Sequence, residues 1–260
     1  MVNNKFIVNF HEHPRNTVLE DNRQWGVDYT VLLTVGRKDS LRGRQIAHNN
    51  PDKCVSFHWV EVENDINHEI HRLKMAVNNW GIKGVKFQPL DQHVYMNDKR
   101  LYPIYEVCEE LDLLITWHTG MVDLGQNTYE LNVPLLVKYC DPIYIDEVAI
   151  DFPDLKFIIA HLGGNFIYTA TLLASKHRNV YLDTAFLGYF APRFFPPTTP
   201  SALITHAVNI SGEDKILYGG EGVMPEDVLN AEISEQAKDM ILSGNAIKLL
   251  GLKDKIKTEE

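Results

Sequence analysis

The sequence predicts an α/β chain closed into a (β/α)8 barrel, a TIM barrel, with one domain over residues 1–260. Three observations predict it. Short apolar runs alternate with amphipathic stretches along the chain, which is the pattern of a parallel sheet with crossover helices. There are eight such runs, the number that closes a barrel. No GxGxxG turn follows the first run, so the dinucleotide-binding version of a parallel sheet loses support.

The runs are residues 6–10, 30–35, 55–60, 84–87, 113–117, 156–160, 180–183 and 216–218, mostly apolar and often β-branched. Helical segments lie between most of them, most clearly over 64–80, 101–111, 166–176 and 234–250. In 101–111, Leu101, Ile104, Tyr105, Cys108 and Leu111 recur at helical i, i+3, i+4, i+7 spacing and define one buried face. Residues 188–200, GYFAPRFFPPTTP, follow the seventh run as a proline-stiffened aromatic loop. The charged tail 253–260 is expected to fray.

Length and composition suit one barrel: 260 residues with 45% hydrophobic content. A net charge of -10, a pI near 5.5 and the lack of a basic run argue against nucleic acid and against an anionic membrane surface. No apolar run reaches the length of a membrane span, and MVNNKFIVNFHEHP lacks the apolar core of a signal peptide. Cys54, Cys108 and Cys140 are widely separated and odd in number, which points to a reducing, cytoplasmic setting. The expected partner is a small-molecule substrate, and assembly into a homo-oligomer is left open.

In such a barrel the chemistry sits at the C-terminal ends of the strands. The first run leads into His11-Glu12-His13, the fifth into His118 (TWHTG), the sixth into His161 (IIAHLGG) and the eighth into Glu221 (LYGGE). Strict alternation puts His11 and His13 on one face, with Phe10 and Glu12 on the other. Two imidazoles on one face begin a divalent-metal site, and His118 and Glu221 are placed to complete it. Alone, a strand-end histidine is more often a hydrogen-bonded structural residue, and Glu221 reads as a solvated loop carboxylate. Four strand ends aimed at one rim reverse that judgement. Lys86, on the fourth run, has the parity assigned to the barrel interior. His58, inside the third run, is expected to be satisfied structurally. Arg193, among the aromatics of 188–200, is a candidate grip for a substrate carboxylate.

The pieces NFHEHP, GVKFQP, NDKRLYPIYEVCEELDLLITWHTG, IDEVAIDFPDLKFIIAHLGGN, NVYLDTAF, DKILYGGEG and SGNAIKLLGL, in this order and spacing, resemble the amidohydrolase superfamily. The branch is the amidohydrolase-related one that includes aminocarboxymuconate-semialdehyde decarboxylase-like enzymes. The resemblance implies metal ligation by His11, His13, His118 and the carboxylate after the eighth strand, which also acts as general acid/base. It implies that His161 orients or polarises the attacking water or substrate oxygen. The family places aspartate where this chain has Glu221, in GGE rather than GSD or GTD. One extra methylene carries the oxygens about 1.3–1.5 Å further out. Misplacement on that scale can cost about 100-fold in rate, unless the strand end retracts.

A single divalent ion is implied, Zn2+ first and Mn2+ as the other candidate. Lys86 is then read as a cation for a substrate carboxylate rather than a carbamate bridging two metals. The expected activity is metal-dependent hydrolysis of a small carboxylated lactone or amide. Glu221 would move the proton, His161 would stabilise the oxyanion, and Lys86 and Arg193 would hold the acid group. A carboxy-lyase at the same site is the first alternative, and a non-catalytic ligand-binding barrel is the second.

Overall fold

A computed structural model describes residues 5–121 and 135–252. The strands are β1 (Val8–Glu12), β2 (Tyr29–Leu32), β3 (Cys54–Ser56, resumed after Phe57 as His58–Trp59), β4 (Gly84–Phe87), β5 (Leu114–Trp117), β6 (Phe157–Ile159), β7 (Val180–Asp183) and β8 (Ile216–Leu217). Each pairs in parallel with the next in sequence. Phe57 N–H donates to the Leu32 carbonyl at 2.9 Å and carries the ladder across the break in β3. Phe10 N–H donates to the Tyr218 carbonyl at 2.7 Å, which ties β1 to the end of β8. The fold is that of a TIM barrel, and the eight expected runs are its strands.

The helices follow the apolar periodicity, with ends set by local chemistry. Ile66–Trp80 starts at Asp65, whose side chain accepts the His68 N–H, and stops at Gly81 in the left-handed conformation. Tyr102–Glu110 buries Ile104, Tyr105 and Cys108 against the strands, the face expected from their spacing. The segment expected over 234–250 runs as Glu235–Asp239, one wide π turn Met240–Gly244, and Asn245–Leu250. Within that wide turn the Ile241 carbonyl accepts the Tyr218 N–H at 3.0 Å and steadies the end of β8.

Alternation divides the core into two layers. Val85, Phe87, Ile115, Trp117, Phe157 and Ile159 pack outward against the helices. Val8, Phe10, Val31, Leu33, Val55, Phe57, Leu114, Ile158 and Leu217 form a separate inner cluster, joined by Ala246, Leu250 and Leu252. Phe57 needs Gly84 beside it, because a Cβ there would come within 2.4 Å of its ring.

One local expectation is corrected. Phe10 does not face away from the barrel; it belongs to the inner cluster and packs edge-on to Phe57 at 5.9 Å. The register of β1 against β2 slips between Asn9 and Glu12, so residues 10 and 11 together stand opposite Val31 alone. This is a β-bulge, which resets the alternation above it. Phe10 closes the inner apolar cluster, and His11 and His13 can still share a face above it. Glu12 does turn away, to Arg15 at 2.6 Å.

Cys54, Cys108 and Cys140 are buried thiols that form no disulfide among the described residues. Among the described residues, no helix is long and apolar enough to cross a membrane. The tail 253–260 lies outside the described residues.

Candidate metal centre at the strand ends

The inner positions of β5 show how the site is raised on the core. Leu114 lies in the apolar cluster, Thr116 is the next inner residue, and His118 follows at the strand end. The same progression occurs on β4 from Gly84 to Lys86 and on β7 from Tyr181 to Asp183. His11, Lys86, His118, His161 and Asp183 are all buried, while His13 and Glu221 are partly open.

Each imidazole is held through Nδ1. His11 Nδ1 lies 2.8 Å from the Asp183 carboxylate, and His13 Nδ1 lies 2.9 Å from the Leu33 carbonyl. His161 Nδ1 lies 3.0 Å from the Ala185 carbonyl. Carbonyls accept only, so His13 and His161 carry their protons on Nδ1, and ionised Asp183 fixes the same tautomer on His11. His161 Nε2 is therefore a lone pair, and His118 Nδ1–H donates to it at 3.2 Å. That leaves Nε2 of His118 as a buried lone pair without a hydrogen-bond partner among the described residues. The Nε2 atoms of His11 and His13 each stand 3.7 Å from Glu221 Oε2.

The electrostatics keep the three buried imidazoles neutral. Burial pushes His11, His118 and His161 well below the usual histidine range, and neighbouring cations add to the effect. Burial pushes Lys86 down to about 8, opposed by the Asp183 and Glu221 charges. Burial also raises Glu221 and Asp183 above the usual carboxylate range.

The residues expected from sequence are thus largely brought together. His11, His161 and Glu221 offer ligand atoms within 4.8 Å of one another. His13 joins through Glu221, and His118 through His161. Lys86 feels the charges of Asp183 and Glu221, and its ammonium has no hydrogen-bond partner among the described residues. Arg193 is placed otherwise. It is exposed, lies 3.7 Å over the Tyr189 ring and donates to the Tyr189 carbonyl at 2.7 Å. Those contacts stay within its own loop. Phe186 and Phe190 are the aromatics that approach His161, at 6.0 and 6.2 Å.

Sequence reasoning missed Asp183. One of its oxygens meets His11 Nδ1, and the other accepts the N–H groups of His161 at 2.9 Å and Ala185 at 3.0 Å. It therefore orients two histidines at once. The available signal was its place at the end of the seventh strand, on the same rim. Asp183 helps to hold His161 in the left-handed region at φ 63°, beside Leu162 at φ 49°. Such conformations cost free energy and collect at functional sites.

The donor set suits a divalent ion. The Nε2 atoms of His11 and His13 face the Glu221 carboxylate, and the buried Nε2 of His118 has no hydrogen-bond partner among the described residues.

Fold and site together define a TIM barrel with a histidine–carboxylate cluster at its strand ends. Residues 36–252 match the model of the family described as Amidohydrolase, and the chain belongs to that family. It is 24% identical over 232 residues to 2-amino-3-carboxymuconate-6-semialdehyde decarboxylase of Dictyostelium discoideum, an alignment covering 80% of this chain and 64% of that one. The chain therefore spans less than two thirds of that relative's length. An uncharacterised TIM-barrel protein of Bordetella bronchiseptica superposes with TM-score 0.72 at 21% identity, over 94% of this chain and 98% of that one. A 5-carboxyvanillate decarboxylase of Novosphingobium aromaticivorans, complexed with manganese and 4-hydroxy-3-methoxy-5-nitrobenzoic acid, superposes with TM-score 0.65 at 15% identity, over 92% of this chain and 80% of that one.

Proposed function

We propose that the protein is a metal-dependent carboxy-lyase that releases carbon dioxide from a small carboxylic acid. The observation that carries this reading is Lys86: a buried ammonium without a hydrogen-bond partner among the described residues, close to the histidines and carboxylate of the site. A buried unpaired cation destabilises a fold, so its natural counterpart is an anionic group on the substrate. The decarboxylase names of the Dictyostelium relative and the Novosphingobium neighbour point the same way.

A divalent ion held by His11, His13, His118 and Glu221 would supply Lewis acidity toward a substrate oxygen or water. Zn2+ suits the three imidazoles, and Mn2+ is the ion in the Novosphingobium complex. Lys86 would pair with the carboxylate and orient it. His161 presents an Nε2 lone pair, so it would accept a proton from a substrate hydroxyl or water. This differs from the oxyanion-stabilising role expected from sequence, which needs a proton on Nε2. Glu221 would pass a proton to the carbon whose bond to the departing carboxylate breaks, through the oxygen not taken by the ion. Phe186 and Phe190 would keep water from that carbon.

Hydrolysis of a carboxylated lactone or amide stays as a second reading, because the base at His161 and the acid at Glu221 would equally serve water attack. One experiment separates them. Protein loaded with Zn2+ or Mn2+ is given a panel of small carboxylic acids, lactones and amides in 18O-water. Carbon dioxide without 18O in the organic product supports the lyase. Label in the product without carbon dioxide moves the assignment to hydrolysis, and turnover of nothing that binds defeats both.

A further inference from the structure

Beneath the ligands lies a side chain that the chemistry above does not use. Asn9 is fully buried. Its Oδ1 accepts two backbone donors, His11 N–H at 3.0 Å and Gly220 N–H at 2.7 Å. Its Nδ2 donates to Asn22 Oδ1 at 3.2 Å, and Asn22 Nδ2 donates to Thr30 Oγ1 at 3.1 Å. Two N–H donors on one atom settle which end of the amide is oxygen. The bulge in β1 takes His11 out of register, and Gly220 lies past the last ladder residue of β8. Without Asn9, both N–H groups would be left unpaired in the interior, which costs free energy.

The two groups it joins belong to the site: His11 itself, and the residue before Glu221. The approach is close. A Cβ on Gly220 would fall 2.5 Å from Asn9 Nδ2, and one on Gly219 would fall 2.8 Å from the Ala185 nitrogen and 3.0 Å from His11 Cβ. The missing side chains let the end of β8 press against β1 and β7. Glu221 starts from that drawn-in backbone and brings Oε2 to 3.7 Å from both His11 and His13. Retraction of the strand end is the way a carboxylate one methylene longer than aspartate can be accommodated.

We propose that Asn9 is a positioning residue whose carboxamide oxygen clamps the β1 bulge to the end of β8, and so sets the spacing of His11 and Glu221 for a metal ion. The proposal rests on the metal-site reading. Its test uses wild type and the variants Asn9→Ala, Asn9→Asp, Gly220→Ala and Thr30→Val, each stripped of metal. Each is titrated with Zn2+ and with Mn2+ by calorimetry, and amide exchange at His11 and Gly220 is followed in the metal-free proteins. Asn9→Ala and Gly220→Ala should weaken metal binding about 10- to 100-fold and speed exchange at Gly220. Asn9→Asp retains the accepting oxygen and should restore affinity toward wild type. Thr30→Val breaks the far end of the same buried chain but spares both clamped N–H groups, so its affinity should match wild type. Wild-type affinity in Asn9→Ala, or an equal loss in Thr30→Val, would overturn the clamp. Wild type that binds neither ion would defeat the metal reading instead, and unchanged Gly220 exchange in Asn9→Ala would still overturn the clamp on its own. If Asn9→Ala does not fold, Gly220→Ala against Thr30→Val carries the same comparison.

Discussion

The lower and upper storeys of this barrel come from the same strands and obey opposite rules. Below, Val8, Phe10, Val31, Val55, Phe57, Leu114, Ile158 and Leu217 fill the interior with apolar side chains. Two residues further along, the inner positions become Lys86, Thr116 and His118, and Lys86 Nζ, Thr116 Oγ1 and His118 Nε2 are buried without hydrogen-bond partners among the described residues. The lower storey supplies stability from apolar burial. The upper storey spends some of it on a backbone in the left-handed region and an ammonium away from water. The contrast teaches that the polar storey is tolerated because the apolar one holds the strands independently of it.

The largest expected effect tests the upper storey alone. In a His11→Ala/His13→Ala double variant, metal content should fall to background and turnover should vanish, while far-ultraviolet circular dichroism stays native. A variant that keeps its metal removes these histidines from the ligand set. Next, Glu221→Gln should lower turnover by about 100- to 10,000-fold, because the amide cannot carry the proton. Turnover near wild type would take Glu221 out of the proton path. Phe57→Ala probes the lower storey: it should cost about 3–5 kcal/mol in denaturant unfolding and leave the metal bound per folded chain unchanged. Loss of metal in the folded fraction would mean that the storeys are not separable.

Lys86→Met sharpens the contrast most directly. Replacing an unpaired buried ammonium with an apolar chain should raise stability by about 1–4 kcal/mol and raise KM strongly. A loss of stability would show that Lys86 is paired in the free protein.

A further effect lies outside the barrel interior. His58 is buried, its Nε2 lacks a partner, and its Nδ1 meets Ser40 Oγ only at 3.5 Å, so the expected structural satisfaction is only half met. Burial, aided by Arg44 and Arg72, pushes its pKa down to about 3. The unfolded chain takes up this proton near pH 6.5 and the folded chain does not. Stability from this group is therefore intact above pH 6.5 and falls as pH drops toward 3, by about 1.4 kcal/mol per unit. Urea midpoints between pH 7 and 4 should decline less steeply in His58→Gln than in wild type. Equal slopes would mean that His58 is protonated in the fold.

Fold and site differ in how far the sequence exposes them. Eight apolar runs separated by amphipathic stretches are long-range statistics that no single residue controls, and the runs correspond to the strands within two or three residues. Strand ends carrying His118, His161 and Glu221 were legible because their chemical types are rare in apolar surroundings. The bulge was not legible. NFHEHP alternates well enough on paper, and only packing shows Phe10 inside, with Asn9 satisfying the N–H that the bulge frees. Asp183 was hidden for another reason: a carboxylate at a strand end says nothing about which histidine it will orient. Arg193 shows the converse, since a rim position does not fix where a long side chain lies when an aromatic ring is nearer.

The Asn9–Gly220 bond joins residues separated by 211 positions, and the inner cluster needs Ala246 and Leu250 as well as Val8 and Phe10. A ribosome delivers Asn9 long before Gly220. Strands β1 to β7 can pair with their neighbours as they emerge, but the other edge of β1 and part of its apolar inner face must wait for β8 and the helix that carries Ala246 and Leu250. The histidines proposed to hold the metal are thus made well before the strand end that completes their site. During that interval the emerging chain depends on whatever shields β1, and a growing chain stalled before residue 216 carries His11 and His13 without a site to hold them.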